Sequence, residues 1–334
     1  MMDEDNNKLI WPRFALAGGT VEVSVEHFDP RRGRDLLEIG GVRTVLTAAS
    51  AKRLMAVMPS GPEGTCTVDI ISEGRKAPHS EVIAGTAIAT GMHNVANPAI
   101  DPSDGAVIVT RSGSRGQQLP NTLYRIEKDG YVDELPVSVM NPTGIAFSPE
   151  GKMFVSNRAA GEIYIIERGE EAFFFAGGLG IVTGIVFDTD GFLFAGDRTG
   201  RIYRIDEFGS AETFAVIEPS VAAYHLAFGP DGRLYVTAPG MTSSDVIWVI
   251  DSDGRAEIHF RGFGRPQGLA FGPEGDLYVA ASHKGRRGIF KLGGDGNAEW
   301  IVSGQGVVGL CFGPDGEMIV STRDTVYSLP VGVA

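Results

Sequence analysis

An all-β fold assembled from repeated four-stranded units is predicted by three observations. One phrase recurs five times after residue 140: FSPEGKMFVS from Phe147, FDTDGFLFAG from Phe187, FGPDGRLYVT from Phe228, FGPEGDLYVA from Phe271 and FGPDGEMIVS from Phe312. The phenylalanines stand 40, 41, 43 and 41 residues apart, and a looser copy, IDPSDGAVIVT, begins at Ile100. A fixed period of this size marks a repeat architecture, in which each unit buries its apolar face only against its neighbours. Each period also carries four strand signals separated by turn residues, the pattern of a propeller blade. Finally, no window between the Gly and Pro breaks keeps a helical apolar period for three turns. The expectation is a six-bladed β-propeller preceded by a small β-sandwich.

The unit Asn141–Gly180 shows how each element is read. TGIAFSP is a short apolar strand, and Pro149-Glu150-Gly151 is a turn whose glycine takes a backbone geometry that other residues resist. MFVSN follows as a second strand, Gly161 breaks it, and EIYIIER is a third, rich in β-branched and aromatic residues. Arg168-Gly169-Glu170 turns the chain into a fourth strand, AFFFAGG, in which at least one of Phe173, Phe174 and Phe175 must face outward. Complete units begin near Asn97, Asn141, Ile181, Ala222 and Arg265, whereas the last, from Val307, has only three strands. EVIAGTAIAT at 81–90 is expected to supply the missing outer strand, because an open sheet edge would invite aggregation.

RPQGLAFGPEGDLYV and NPTGIAFSPEGKMFV resemble the repeat of six-bladed NHL-type propellers and of the senescence marker protein, gluconolactonase and luciferin-regenerating enzyme family. The resemblance spans about residues 81–334 and is carried mostly by turn and core residues, so it speaks for architecture more than for activity. It implies a divalent cation, usually calcium, held by a Glu, Asn and Asp set on the innermost strands. Here the matching positions are Thr143, Thr183, Tyr224, Gln267 and Val308, none of them a carboxylate, and only Asn97 has suitable chemistry. Calcium requires several hard oxygen ligands with at least one carboxylate. The family's metal site is therefore not carried over, and lactonase activity becomes an alternative in which Asp197 or Asn97 would hold a cation and His225 would act as a general base near neutrality. Zinc on His93, His225 and His283 is a weaker variant, since no ligand spacing supports it.

Residues 1–78 contain no copy of the repeat. VEVSVEHF, DLLEIGG, LMAVMPS and GTCTVDIISEG alternate apolar and polar residues between breaks, as strands of a sandwich do. Trp11-Pro12, Gly18-Gly19, Phe28, Gly40-Gly41, Pro59 and Gly61 resemble the pattern of an IPT/TIG-type immunoglobulin-like domain. That resemblance implies a spacer, a docking module or an appendage contacting protein or polysaccharide; a sandwich that simply packs on the propeller fits equally well. Arg75-Lys76-Ala77-Pro78 is expected to be the linker to a propeller at 79–334.

The formal net charge is −13, and residues 1–80 hold ten basic and eleven acidic side chains, so nearly all of the excess falls on the propeller. An acidic propeller argues against nucleic acid and against anionic membrane as partners. Only Cys66 and Cys311 occur, in different predicted domains, so no disulfide framework is present; Cys311, on an apolar strand, is expected to be buried. The acidic MMDEDNNKLIW start has no apolar h-region, which makes cytoplasmic location the default, or secretion if a signal has been removed.

Residues at the starts of inner strands and after second strands should converge on one mouth of the central channel. They are Asn97, Thr143, Thr183, Tyr224, His225, Gln267 and Val308, with Arg111, Asn157, Arg158, Asp197, Arg198, Pro239, His283, Arg323 and Asp324. Arg158, Arg198 and Arg323 recur at equivalent loop positions and could grip a carboxylate or phosphate. The ordinary expectation is instead that Asn157, Asp197 and Asp324 pair with them and stabilise the turns. No nucleophile elbow, P-loop or HExxH motif occurs. The expected function is a binding propeller whose polar mouth takes a small polar molecule or a peptide, with the sandwich as docking arm and no cofactor firmly implied.

Overall fold

A computed structural model describes residues 9–29, 31, 35–111, 122–137, 139–167, 171–242, 244–294 and 296–332. These residues form strands, turns and loops with no helix, and the expected turn at 168–170 lies outside them. Six antiparallel four-stranded units, drawn from Thr86 to Leu329, close a propeller. The outer strand of blade 6 is Thr86–Thr90, paired with Thr325–Leu329, so the ring is closed by an N-terminal strand as the sequence predicts.

The repeated phrase has a packing reason. In each of four successive junctions the aromatic residue of one blade's second strand meets, edge to face, the phenylalanine opening the phrase in the next blade. Phe154 lies 4.9 Å from Phe187, Phe194 5.1 Å from Phe228, Tyr235 5.0 Å from Phe271 and Tyr278 5.1 Å from Phe312, centroid to centroid. Such pairs contribute about 0.5–1.5 kcal/mol each beyond the apolar area they bury. The turn glycines of the same phrase, among them Gly151, Gly232 and Gly316 at φ 79°, 72° and 83°, occupy the left-handed region that favours glycine.

Nearer the axis, glycine has a second use. Gly144, Gly184, Gly268 and Gly309 sit at one equivalent position of the innermost strands, packed on the backbone or side chain of the next blade. A Cβ on Gly144 would lie 2.5 Å from the Thr183 carbonyl, and one on Gly184 2.4 Å from that of Tyr224. Blade 4 alone of these five carries a side chain there, His225. Hydroxyls also lock blade junctions: Thr110 donates to the Thr143 carbonyl (3.1 Å), Ser156 to Thr183 (2.6 Å), Thr237 to Gln267 (2.6 Å) and Ser321 to Ala96 (3.0 Å).

The N-terminal residues form a sandwich. One face is Ile10–Trp11, Thr20–Ser24, Arg53–Val57 and Leu46–Ala49; the other is built on Leu36–Ile39, Gly64–Ser72 and Arg75–Ala84. Alternation buries Val21, Val23, Leu54, Ala56, Val68 and Val82 between them. The expected linker is corrected here: Arg75-Lys76-Ala77-Pro78 is paired strand, continuous to Ala84 and opposite Asp69–Ser72. Nor is the sandwich a hinged arm. Phe14–Ala15 pairs in parallel with Ile83–Ala84 on one side and Val302–Ser303 of blade 5 on the other, making one nine-stranded sheet through both parts. Leu16, fully buried, joins the core between blades 5 and 6. Arg286 lies 3.7 Å over the Trp11 ring and pairs with Glu22 at 3.0 Å, while Trp11 meets Trp300 edge-on. Phe173 and Phe174 are exposed, and Phe175 packs on Phe154.

Candidate functional site

Because each innermost strand starts at one end of the channel and each second strand returns there, that end collects the residues before the former and after the latter. The result is an open cleft of ≈ 770 Å³ lined by His93, Asn94, Thr143, Arg158, Thr183, Arg198, Gln267, Ser282 and Arg323, with the main chain around Val221–Ala223 and Gly304–Val308. Arg265 and Arg287 from blade 5 complete it. Further along the same strands lies a second cavity of ≈ 400 Å³, mostly apolar, bounded by Phe147, Phe187, Phe228 and Phe271, with Asn97, His225 and Cys311 on its wall.

Two polar atoms of the described cleft lining, Thr143 Oγ1 and Asn94 Oδ1, lack protein partners although they are buried; His225 Nε2, deeper in, shares this condition. Buried polar groups are normally satisfied, so orphaned ones facing a cleft mark where an outside partner belongs. Asn94 is meanwhile held in place by its amide, which donates to the Thr322 carbonyl at 3.0 Å.

The arginines behave differently from the turn-stabilising expectation. Asp197 is buried and accepts from the Ile181 N–H (2.8 Å) and the Thr199 hydroxyl. Asn157 accepts from the N–H groups of Ala159 and Ala160 at 3.0 and 3.2 Å. Asp324 takes the Thr325 hydroxyl at 3.3 Å. None of the ion pairs among the described residues involves Arg158, Arg198 or Arg323. The acidic and amide side chains thus shape the loops through backbone bonds and leave the guanidinium groups to the cleft. Arg198 is fixed by Nη2 donating to the Val221 carbonyl at 2.6 Å. Burial and the neighbouring Arg198 charge lower the Arg158 pKa below the ordinary guanidinium value.

Other expected site residues are placed elsewhere or are already engaged. Tyr224 is fully buried in the blade 3–4 core, its phenol donating to the Glu218 carbonyl and pushed upward by burial, so it does not reach the channel. Its ring takes the room that Gly196 leaves, since a Cβ there would lie 2.9 Å from Tyr224 Cβ. His283 bonds the Gly262 carbonyl at 3.0 Å among Phe260, Phe263 and Phe290. Asn97 bridges blades 5 and 6, donating to Leu269 O (3.1 Å) and accepting from Leu310 N (3.2 Å). Thr183 spends its hydroxyl accepting from Tyr224 N at 2.9 Å. Arg111 donates to the Tyr124 hydroxyl at 2.9 Å. Burial pushes His225 down to about 4, so the near-neutral general base of the lactonase alternative is not what this environment makes. Cys311 is half-buried rather than buried, and both cysteines are free. Among the described residues no three His, Cys, Asp or Glu side chains gather as metal ligands would, which leaves His93, His225 and His283 apart. Asn94, Arg265 and Arg287 are mouth residues that sequence reasoning missed; Arg265 was legible as the start of blade 5, but Asn94 and Arg287 carry no repeat signal.

No family model and no curated protein matches the chain in sequence. Among solved structures it is similar to a protein of unknown function from Bacteroides thetaiotaomicron, at 13% identity and TM-score 0.58 over 97% of this chain and 98% of that one. It is similar also to an auxiliary nutrient binding protein from the same organism, at 14% identity and TM-score 0.56 over 96% of both chains. A gluconolactonase-like protein matches at 20% identity and TM-score 0.60, over 73% of this chain and 90% of its own. At these identities the likeness shows the fold, a β-propeller. The first two alignments are long enough to run through the N-terminal sandwich as well.

Proposed function

We propose that the protein is a binding propeller, whose channel mouth holds a small polar ligand or peptide segment while the sandwich, fused through a continuous sheet, braces one wall of the mouth. The observation that carries this reading is the ≈ 770 Å³ cleft into which buried, unpartnered polar atoms and unpaired guanidinium groups converge. Its size falls in the range of small-molecule sites. The bracing is direct: the Gln305 side chain donates to Gly18 O at 3.0 Å and Ser303 to Thr20 O at 2.7 Å, beside the Gly304–Val308 stretch of the wall. Similarity to nutrient binding proteins supports the same reading. We further read the sandwich as IPT/TIG-like, on the Gly18-Gly19 and Gly40-Gly41 pairs that turn its strands. The metal-dependent lactonase alternative draws support from the gluconolactonase-like neighbour, but Asp197 is engaged by backbone and hydroxyl donors.

Thermal-shift screening of the full chain against sugars, sugar acids, lactones and short peptides tests the proposal, since a ligand at a hundred times its Kd stabilises by about 2.7 kcal/mol. Thr143→Val is the informative variant. It removes an unpaired buried hydroxyl, so the fold should be unharmed or stabilised by up to about 1 kcal/mol, while the ligand-induced shift shrinks. A shift that survives Thr143→Val together with Gln267→Leu places binding elsewhere. Turnover of a lactone would favour the alternative.

A further inference from the structure

We infer that the ligand of this mouth is a small organic dianion, one carboxylate or phosphate gripped between Arg158 and Arg198 and a second anionic group reaching the arginines across the cleft. The inference rests on the reading of the mouth as a ligand site and gives that ligand its chemistry.

The sign of the charge is the first reason. The chain carries 42 acidic against 29 basic residues, yet Arg158, Arg198, Arg265, Arg287 and Arg323 line the cleft with no Asp or Glu among its lining residues. A surface that is acidic overall and cationic at one concavity focuses anions into it.

The second reason is how the first pair is held. Arg158 and Arg198 follow equivalent second strands of neighbouring blades and are both half-buried. Arg198 is immobilised by the Val221 and Ser220 carbonyls, at 2.6 and 3.4 Å, which leaves guanidinium donors over. Ser220 is itself pinned, its hydroxyl donating to Pro239 O at 2.9 Å. The carboxylate next to Arg198 in sequence, Asp197, is spent on Ile181 N and Thr199. Two like charges are therefore held close, partly out of water, with no protein anion between them. Such an arrangement is unfavourable by itself and becomes favourable when an oxyanion enters, because the planar fork of arginine matches carboxylate and phosphate oxygens two at a time.

The third reason is symmetry. In a ring of six blades, blades 2 and 3 stand opposite blades 5 and 6. Arg158 and Arg198 belong to the former, Arg265, Arg287 and Arg323 to the latter. Two cationic groups face one another across a cleft of sugar-sized volume, which fits a ligand with an anion at each end. The unpartnered Thr143 Oγ1 lies on the same wall and can serve a hydroxyl or carbonyl between them.

Isothermal titration of the full chain, with succinate, glucose 6-phosphate, inorganic phosphate, dimethyl succinate and glucono-lactone as probes, tests this at low and moderate salt. The charged compounds should bind, succinate at least tenfold more tightly than its dimethyl ester, and binding should weaken as salt rises. Preference for glucose 6-phosphate and inorganic phosphate assigns a phosphoryl ligand; preference for succinate assigns a carboxylate one. Arg158→Gln and Arg198→Gln should each lower the affinity tenfold or more. Arg323→Gln should weaken succinate but leave inorganic phosphate nearly unchanged. Arg255→Gln, on a surface pair with Asp253 away from the cleft, should change nothing. Relief of repulsion gives a second readout: without ligand, Arg158→Gln should melt no lower than the wild-type chain. If neutral compounds bind at this mouth as tightly as anions, or if Arg158→Gln/Arg198→Gln retains full anion affinity, the dianion is overturned and the binding reading stands. If neither charged nor neutral probes bind, both fall.

Discussion

At the turn end of the propeller, blades 2 to 6 repeat one solution: an aromatic ring standing edge-on to the phenylalanine of the next blade, beside a glycine with positive φ. At the mouth the same strands agree only in part. The position eleven residues after the repeat phenylalanine is Arg158, Arg198, Pro239, Ser282 and Arg323 in successive blades. Where the chain repeats itself, its aromatic side chains pack on one another. At the mouth, Thr143 Oγ1 and Asn94 Oδ1 are left without protein partners. The difference teaches that the aromatic packing of this molecule keeps one residue type throughout the period, whereas the mouth keeps the period's positions but varies what stands at them.

The comparison breaks if the turn end tolerates change. Phe194 is buried and touches both Phe214 and Phe228, so Phe194→Ala should cost about 3–5 kcal/mol in urea unfolding. Molecules that remain folded should bind ligand normally. A loss under 1 kcal/mol would show that the ladder is ornament.

His225 offers the next largest effect, through pH. Burial depresses its folded pKa to about 4, below the unfolded value near 6.5. The unfolded chain therefore takes up a proton first as pH falls. The neutral imidazole's contribution is fully present above about pH 6.5, is lost between there and pH 4, and changes no further below that. His225→Gln should remove a loss on the order of 2–3 kcal/mol across that window. Parallel pH–stability curves for the two proteins would contradict the assignment.

A smaller cost is expected where blades touch near the axis. Gly184→Ala should destabilise by about 1–3 kcal/mol, since the new methyl must displace the Tyr224 carbonyl 2.4 Å away. Smallest is the seam with the sandwich. Arg286→Met keeps the stem but loses the half-exposed pair with Glu22 and the stacking on Trp11, a loss of about 1 kcal/mol by thermal unfolding. If the two parts then unfold in separate transitions, the continuous sheet is not enough to couple them.

Legibility followed the same division. The blade count and the ring closure could be read because turn glycines and core aromatics answer to local geometry and to neighbours at a constant offset. Arg158, Arg198 and Arg323 were visible as equivalent positions, but whether they pair with Asn157, Asp197 and Asp324 was not. That depended on which donors the loops brought to each carboxylate, and Ile181 N and Thr199 reached Asp197 first. Tyr224 and His225 are adjacent in sequence and alternate across the strand, one into the core and one onto the channel wall, and register alone decides which.

By itself, then, the amino-acid sequence determined the strand period, the six blades, the sandwich ahead of them and the acidic surface, because each follows from side-chain chemistry repeated at short or constant spacing. Only the tertiary structure decided that Arg75–Ala84 is a strand and not a linker, and that Phe14–Ala15 welds the two parts into one sheet. It alone gathered arginines from four blades around a cleft free of carboxylates. These outcomes depend on which segments meet after the ring closes, and contacts between residues hundreds of positions apart leave no local periodic signal.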